Sequence, residues 1–197
     1  MAGTQFLCFA DYLIYKGGDT YSINSCETIE FFYNIRTDLD KYKYAVHITK
    51  IILDVTTENE NSYRTLQLYL NTLYTISETD KNLDLVYAVF KIKLLCLLGF
   101  MPNIYECVNC KNPNEDETEY FSFKDNGFKC GLCGKTDKGA VTVCESTIKA
   151  LKYIVMCPAK KLFSFNISGD SLNELKLIAK ILLNEKLEKE YKEPIKF

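Results

Sequence analysis

The sequence predicts a mainly α-helical protein: a helical bundle with an inserted four-cysteine zinc ribbon, preceded by a short β-strand pair. Three observations carry this. Apolar residues recur at helical spacing through most of the 197-residue chain. That pattern breaks between about 103 and 141, where two Cys-x-x-Cys pairs stand nineteen residues apart. Before residue 24, two runs rich in β-formers flank a diglycine.

In chain order, "QFLCFADYLIY" and "TYSI" alternate across "KGGD", and Gly17-Gly18 reads as a hairpin turn. From Asn24 the reading becomes helical. Asn24 is a cap with Glu27 three residues on, followed by a stripe of Ile29, Phe32, Ile35 and Leu39. "DLDKYK" is polar and breaks this helix. A second helix covers Tyr44 to Val55, with Val46, Ile48, Ile51, Ile52 and Val55 inward. A third turns Leu66, Tyr69, Leu70 and Leu73 to one face. A fourth carries Leu83, Val86, Tyr87, Phe90, Leu94 and Leu97 and ends at Gly99, with Pro102 beyond.

The cysteine-rich segment holds an acidic loop, "NEDETE", and β-like runs "EYFSF" and "GFKC". Helices then resume. One spans about Glu145 to Met156, with Ile148, Leu151 and Val155 inward. The last starts at a Ser171–Glu174 capping box and buries Leu175, Ile178, Ala179 and Leu182. The mixed-charge tail "NEKLEKEYKEPIKF" is expected to fray. The organisation is therefore a strand pair over 1–23 and a helical domain over 24–197, with its insert at about 103–141.

Net charge is −2, from 24 Lys and Arg against 26 Asp and Glu, so no global basic field announces nucleic acid. Arginine occurs only at Arg36 and Arg64, which disfavours bidentate reading of base edges. No apolar run reaches the about eighteen residues of a membrane span, and the start lacks a basic leader, so the chain is expected to be cytoplasmic.

Nine cysteines without a secretory leader argue against a disulfide framework. Cys8, Cys26, Cys96, Cys144 and Cys157 stand alone among apolar neighbours and read as small buried hydrophobes. Cys107, Cys110, Cys130 and Cys133 are different. Zn²⁺ takes four tetrahedral ligands, and two thiolates two residues apart reach one ion from a tight turn. Gly131 and Gly134 give the second turn a free backbone. Structural zinc is the favoured reading. An iron–sulfur cluster accepts the same four thiolates, and a dithiol redox pair is a third possibility. A catalytic zinc would want an open position, and the single histidine, His47, reads as a polar or half-buried helix residue. No nucleophile–base constellation, phosphate-cradling glycine loop or H-E-x-x-H is present, so the chain reads as a non-enzyme.

The stretches "YKGGDTYSINSCETIEFF", "FKIKLLCLLGFMPNIYECVNC", "FSFKDNGFKCGLC" and "STIKALKYI" together resemble the RecO family of bacterial recombination mediators, over residues 3 to 197. A helix ending in L-L-x-x-G-x-x-P before the first cysteine is the most distinctive part.

The resemblance implies a role in DNA repair and homologous recombination by the RecF pathway. It implies binding to single- and double-stranded DNA, strand annealing and work with RecR. It also implies contact with the single-strand-binding protein tail, and through it help in loading RecA, near the nucleoid. Non-specific phosphate contacts would come from lysines near the ribbon: Lys124, Lys129, Lys135 and Lys138. Arg36, Lys41 and Lys43 form a second basic group. Family members open with a complete five-stranded OB-fold. Here the match begins in its last strands, so the strand pair is expected to be a remnant of that barrel with open edges, and Met1 an internal position or the start of a truncated form. The alternative is a zinc-stabilised protein-interaction module without direct DNA binding.

Overall fold

The computed structural model describes residues 2–57, 62–112 and 119–194, so most of the acidic loop lies outside the described residues. Strands β1 (Phe9–Gly17) and β2 (Thr20–Glu30) form an antiparallel hairpin. Gly17 pairs with Thr20, and Gly18 takes the left-handed conformation (φ +62) that the turn demands. The helices are α1 (Tyr33–Arg36), α2 (Leu39–Val55), α3 (Tyr63–Glu78), α4 (Leu83–Leu97), α5 (Gly131–Lys135), α6 (Glu145–Met156) and α7 (Gly169–Lys186). Strands β3 (Glu119–Ser122), β4 (Gly127–Lys129) and β5 (Ala140–Val143) make a small antiparallel sheet in the order β4-β3-β5.

The core is organised on α4. Its sequence is apolar almost all round, and Leu85 to Ile92, Leu94 and Leu95 are all buried, so it lies inside a ring of other helices. Helices α7, α3, α6 and α2 pack on it. The amphipathic helices contribute single faces: Tyr44, Ala45, Ile48 and Ile51 from α2, Ile148, Leu151 and Ile154 from α6, Leu175, Ile178, Ala179 and Leu182 from α7. Gly99 ends the central helix with φ +91 while the Phe100 N–H donates to Leu95 O at 2.8 Å.

The expected helix from Asn24 is a strand instead. Residues 20–30 pair in register with β1, and the register slips between Leu13–Ser25 and Ile14–Ile23, which leaves Asn24 as the extra bulged residue. Of the proposed stripe, Phe32 and Ile35 are buried while Ile29 and Leu39 are exposed. Residue 23, the expected boundary, thus lies inside β2.

"DLDKYK" does not break a helix but starts one. Asp38 caps α2 by accepting from the Asp40 and Lys41 N–H groups at 2.9 and 3.0 Å. On α2, Val46 faces out, not in. The inward face of α3 is rotated from the expected one: Leu68, Thr72, Leu73 and Ile76 are buried and Leu66 is exposed. Thr72 and Thr75 go inside because their hydroxyls donate to the carbonyls of Leu68 and Asn71 one turn back.

The Ser171–Glu174 capping box does not form, since α7 already begins at Gly169. The Glu174 carboxylate caps a different helix. It accepts from the Cys144 N–H at 2.9 Å and the Thr147 hydroxyl at 2.6 Å, both at the start of α6. Cys144 is only partly buried, with its sulfur 3.1 Å from the Ser171 hydroxyl, and so sits in a more polar place than expected. Glu174→Ala is expected to leave the Cys144 amide unpaired and the Thr147 hydroxyl with only its weaker bonds to Ser171 O and Cys144 Sγ, and to lower stability by about 1–3 kcal/mol in urea titration, with Glu174→Gln losing less.

At the other end of α6, the Lys93 ammonium donates to the carbonyls of Ile154, Val155 and Cys157 at 3.0, 3.1 and 2.8 Å. A cation here satisfies the orphan carbonyls and the negative helix end together.

The described part of the tail, to residue 194, is held against the body and not frayed. Tyr191 is buried, Lys189 pairs with Asp54 at 2.7 Å, and Glu193 reaches the buried Lys91 at 2.7 Å. No helix among the described residues is long and apolar enough to cross a membrane.

Candidate metal centre

Two knuckles bring the four cysteines together. The first follows α4 and its Gly99 stop. Residues 103–108 lie along β4: Phe128 N–H donates to Asn103 O at 3.0 Å, and Val108 N–H to Phe128 O at 2.9 Å. The chain then doubles back, with Lys111 N–H on Cys107 O at 2.9 Å and Lys111 in the left-handed region (φ +64). In the second knuckle Cys130 precedes the short α5, and Gly134 N–H closes the turn on Cys130 O at 2.8 Å. Gly134 is needed for packing: a Cβ there would collide with the Tyr120 ring of β3.

The four sulfurs lie within 4.8 Å of one another, and Cys110 Sγ and Cys130 Sγ are 3.7 Å apart. A tetrahedral ion with metal–sulfur bonds of about 2.3 Å needs sulfur–sulfur edges of about 3.8 Å, so the set meets the geometric requirement. Cys107 and Cys130 are buried, Cys133 is half-buried and Cys110 is exposed.

The sulfurs are also prepared for negative charge. Burial pushes the Cys107 thiol up, but the backbone N–H groups of Cys110, Cys130 and Asn109 aimed at its sulfur outweigh that and bring it down to about 6. At Cys110 the Asn112 N–H pulls downward, yet the neighbouring Cys107, Cys130 and Cys133 thiols and burial raise it to about 11 overall. One thiolate thus opposes the next, and a bound cation removes the conflict. Asn109 also sends its side-chain amide to Cys133 Sγ at 3.3 Å. With four protein ligands the site is closed, and a metal here would join the knuckles without offering a coordination position to substrate.

Beside the sulfurs lies a polar cluster that the sequence did not announce. Lys129 is buried, with its ammonium 2.6 Å from Asp125 and 2.8 Å from Asp137. Asp137 also accepts from the Ser122 hydroxyl at 2.7 Å and the Gly139 N–H at 3.0 Å. The Lys129 ammonium and these donors hold the Asp137 carboxyl well below the usual carboxylate range. This ties β3, β4 and the loop after α5 around the knuckles. Lys129 is therefore committed inward and is withdrawn as a phosphate contact, whereas Lys124, Lys135 and Lys138 are exposed. The second basic group is also used internally. Arg36 donates to Gln5 Oε1 at 2.6 Å and Phe6 O at 2.7 Å, Lys41 to Ser77 O at 3.0 Å, and Lys43 lies 4.0 Å from Asp40. His47 is half-buried with its ring edge-on to Tyr87, far from the cysteines in sequence, and burial lowers its pKa.

The order of these parts, a buried helix, a glycine stop, two knuckles on a three-stranded sheet and two closing helices, can now be set beside known proteins. The family described as "Recombination protein O C terminal" matches residues 36–194, which takes in both the helical body and the four cysteines. The "DNA repair protein RecO" of Acetivibrio thermocellus is 43% identical over 191 residues, 97% of this chain and 76% of that protein. The protein of the same name from Thermoanaerobacter sp. is 31% identical over 93% of this chain and 73% of its own length. That of Alkaliphilus metalliredigens is 26% identical over 89% and 72%. A match of this extent, across every element that builds the metal centre, places the chain in the RecO family.

Proposed function

We propose that this protein is a non-enzymatic mediator of DNA repair and homologous recombination, with structural Zn²⁺ on Cys107, Cys110, Cys130 and Cys133. The observation that carries this reading is the family match across 36–194, together with a relative 43% identical and named a DNA repair protein. Zinc is preferred over an iron–sulfur cluster because four convergent thiolates on two Cys-x-x-Cys knuckles suit a closed tetrahedral ion of fixed charge. The bound ion supplies fold closure and no chemistry. The strand pair and the helical body are read as two units of this mediator.

The role assigned is single- and double-stranded DNA binding that promotes strand annealing and recombinase loading. The proposed partners are RecR, the single-strand-binding protein tail and, indirectly, RecA, in the cytoplasm at the nucleoid. DNA contact would be electrostatic, from Lys124, Lys135 and Lys138 on the ribbon's exposed side. Three phosphate contacts give a slope of about −2 in log K against log salt on single strands. Anisotropy titration of a labelled single-stranded oligonucleotide at several salt concentrations tests this. Binding that weakens with that slope, and flattens when the three lysines become Ala, supports the mediator reading. No binding at low salt sinks it and leaves the protein-interaction module.

A further inference from the structure

The four convergent sulfurs are not equally sheltered. Cys107 and Cys130 are buried, Cys133 is half-buried and Cys110 is exposed. Hydrogen bonding to the sulfurs runs the same way. Cys107 accepts from the backbone N–H groups of Cys110, Cys130 and Asn109. Cys133 Sγ carries the Asn109 side-chain amide at 3.3 Å. Cys110 accepts from the Asn112 N–H and otherwise faces solvent. Each N–H on a thiolate draws on the electron pair that an oxidant would take, and burial blocks the oxidant's approach. Both effects leave Cys110 as the sulfur most open to attack. A sulfenic acid formed there persists or oxidises further unless a second thiol resolves it. Cys130, on the other knuckle, is placed for that step, with its Sγ 3.7 Å from Cys110 Sγ. A short closing movement of the exposed residue joins the two.

We infer that Cys110 is a peroxide-reactive modification site with Cys130 as its resolving thiol, and that oxidation of this pair discharges the metal, which rests on the site holding zinc as proposed. The Cys110 thiolate attacks one oxygen of hydrogen peroxide. The S–O bond forms, the O–O bond breaks and hydroxide leaves, giving the sulfenic acid. The Cys130 thiolate then attacks Cys110 Sγ. The S–S bond forms, the S–O bond breaks and a second hydroxide leaves. Two thiolates give up two electrons, and one peroxide takes them. Cys107 and Cys133 remain, and two thiolates are not the four-ligand set that holds zinc. The crosslink spans both knuckles and keeps them side by side, so a thiol reductant and fresh zinc rebuild the site. The insert thus trades a closure at four sulfurs for one at two, according to the oxidant around it.

Zinc release from the full, zinc-loaded chain tests this, followed with a chromophoric chelator as hydrogen peroxide is added. About one zinc per chain leaves, and dithiothreitol with added zinc restores it. Mass mapping after brief exposure finds the dimedone adduct of the sulfenic acid first on Cys110, and later a disulfide between Cys110 and Cys130. Cys110→His keeps a zinc ligand that forms no sulfenic acid, and slows release at least about tenfold. If that variant loads no zinc, the wild-type adduct map decides. A chain without zinc before treatment overturns the zinc reading and this assignment together. Zinc kept through excess peroxide overturns the redox assignment alone and leaves the structural site standing. A first adduct on Cys107 or Cys133, a disulfide that omits Cys110, or release at the wild-type rate from Cys110→His overturns the assignment of Cys110.

Discussion

Cys107→Ser is expected to abolish stoichiometric metal binding and unfold the segment from about 103 to 143 while the helical bundle persists. Cys107 is fully buried, and three backbone N–H groups are aimed at its sulfur. A serine oxygen is a poor ligand, so those amides and the three remaining thiols lose their common partner. Structural zinc contributes about 10–16 kcal/mol to isolated finger peptides, far more than any single contact in the small β3–β4–β5 sheet. Metal analysis of the purified variant should fall from one zinc per chain to about a tenth or less. Hydrogen exchange should show the ribbon amides losing protection, with α4 and α7 still protected. Full protection of Phe121 and Phe128 in the variant would show that the sheet stands without the metal. Iron with inorganic sulfide in the wild-type protein would replace zinc by a cluster as the reading of the site.

Glu193→Ala is expected to cost about 3 kcal/mol, a fall in Tm of about 6–12 °C, although it lies four residues from the chain end. Its partner Lys91 is only 1% exposed, sits at 2.7 Å from the Glu193 carboxylate and lies 4.3 Å above the Tyr87 ring. Burial lowers the Lys91 pKa, and Glu193 opposes that shift. Without Glu193 the lysine is a buried unpaired cation and its folded pKa drops further. The unfolded chain then binds more protons than the native one at pH values between the two pKa values, so stability rises with pH across that window. The deficit should thus be larger at pH 6 than at pH 9. Lys91→Met, which removes the charge and keeps the volume, should cost less than Glu193→Ala, and the double variant should recover much of the loss. A double variant no better than Glu193→Ala would show that the tail, not the charge, matters.

Several features were legible in the sequence because they are local. The central helix was visible from Leu83, Val86, Tyr87, Phe90 and Leu94, and its stop from Gly99. The inward face of α7 was read correctly from Leu175, Ile178, Ala179 and Leu182. The four thiolates were identified by spacing alone, and the structure brings all four together. Other readings failed where two local patterns competed. Asn24 and Glu27 satisfy a helix-capping pattern, yet Thr20 to Glu30 also suits a strand, and pairing with β1 decided between them. Strand β5, Ala140–Val143, went unread because four residues give too little alternation to count.

The sequence by itself determined the class of fold, the family and which four cysteines come together, since periodicity and Cys-x-x-Cys spacing are properties of neighbouring residues. Only the tertiary structure decided how the polar side chains are used. Lys129 was read as a phosphate contact and is an inward ion pair. Glu174 was read as the cap of its own helix and caps α6 instead. Lys91 and Glu193, apart by most of the domain, make one ion pair around a buried ammonium. The reason is physical. A lysine or glutamate is compatible with solvent, an ion pair or a helix end at nearly equal local cost. Its partner is chosen by chain segments brought close in space, and that choice leaves no trace in the residues beside it.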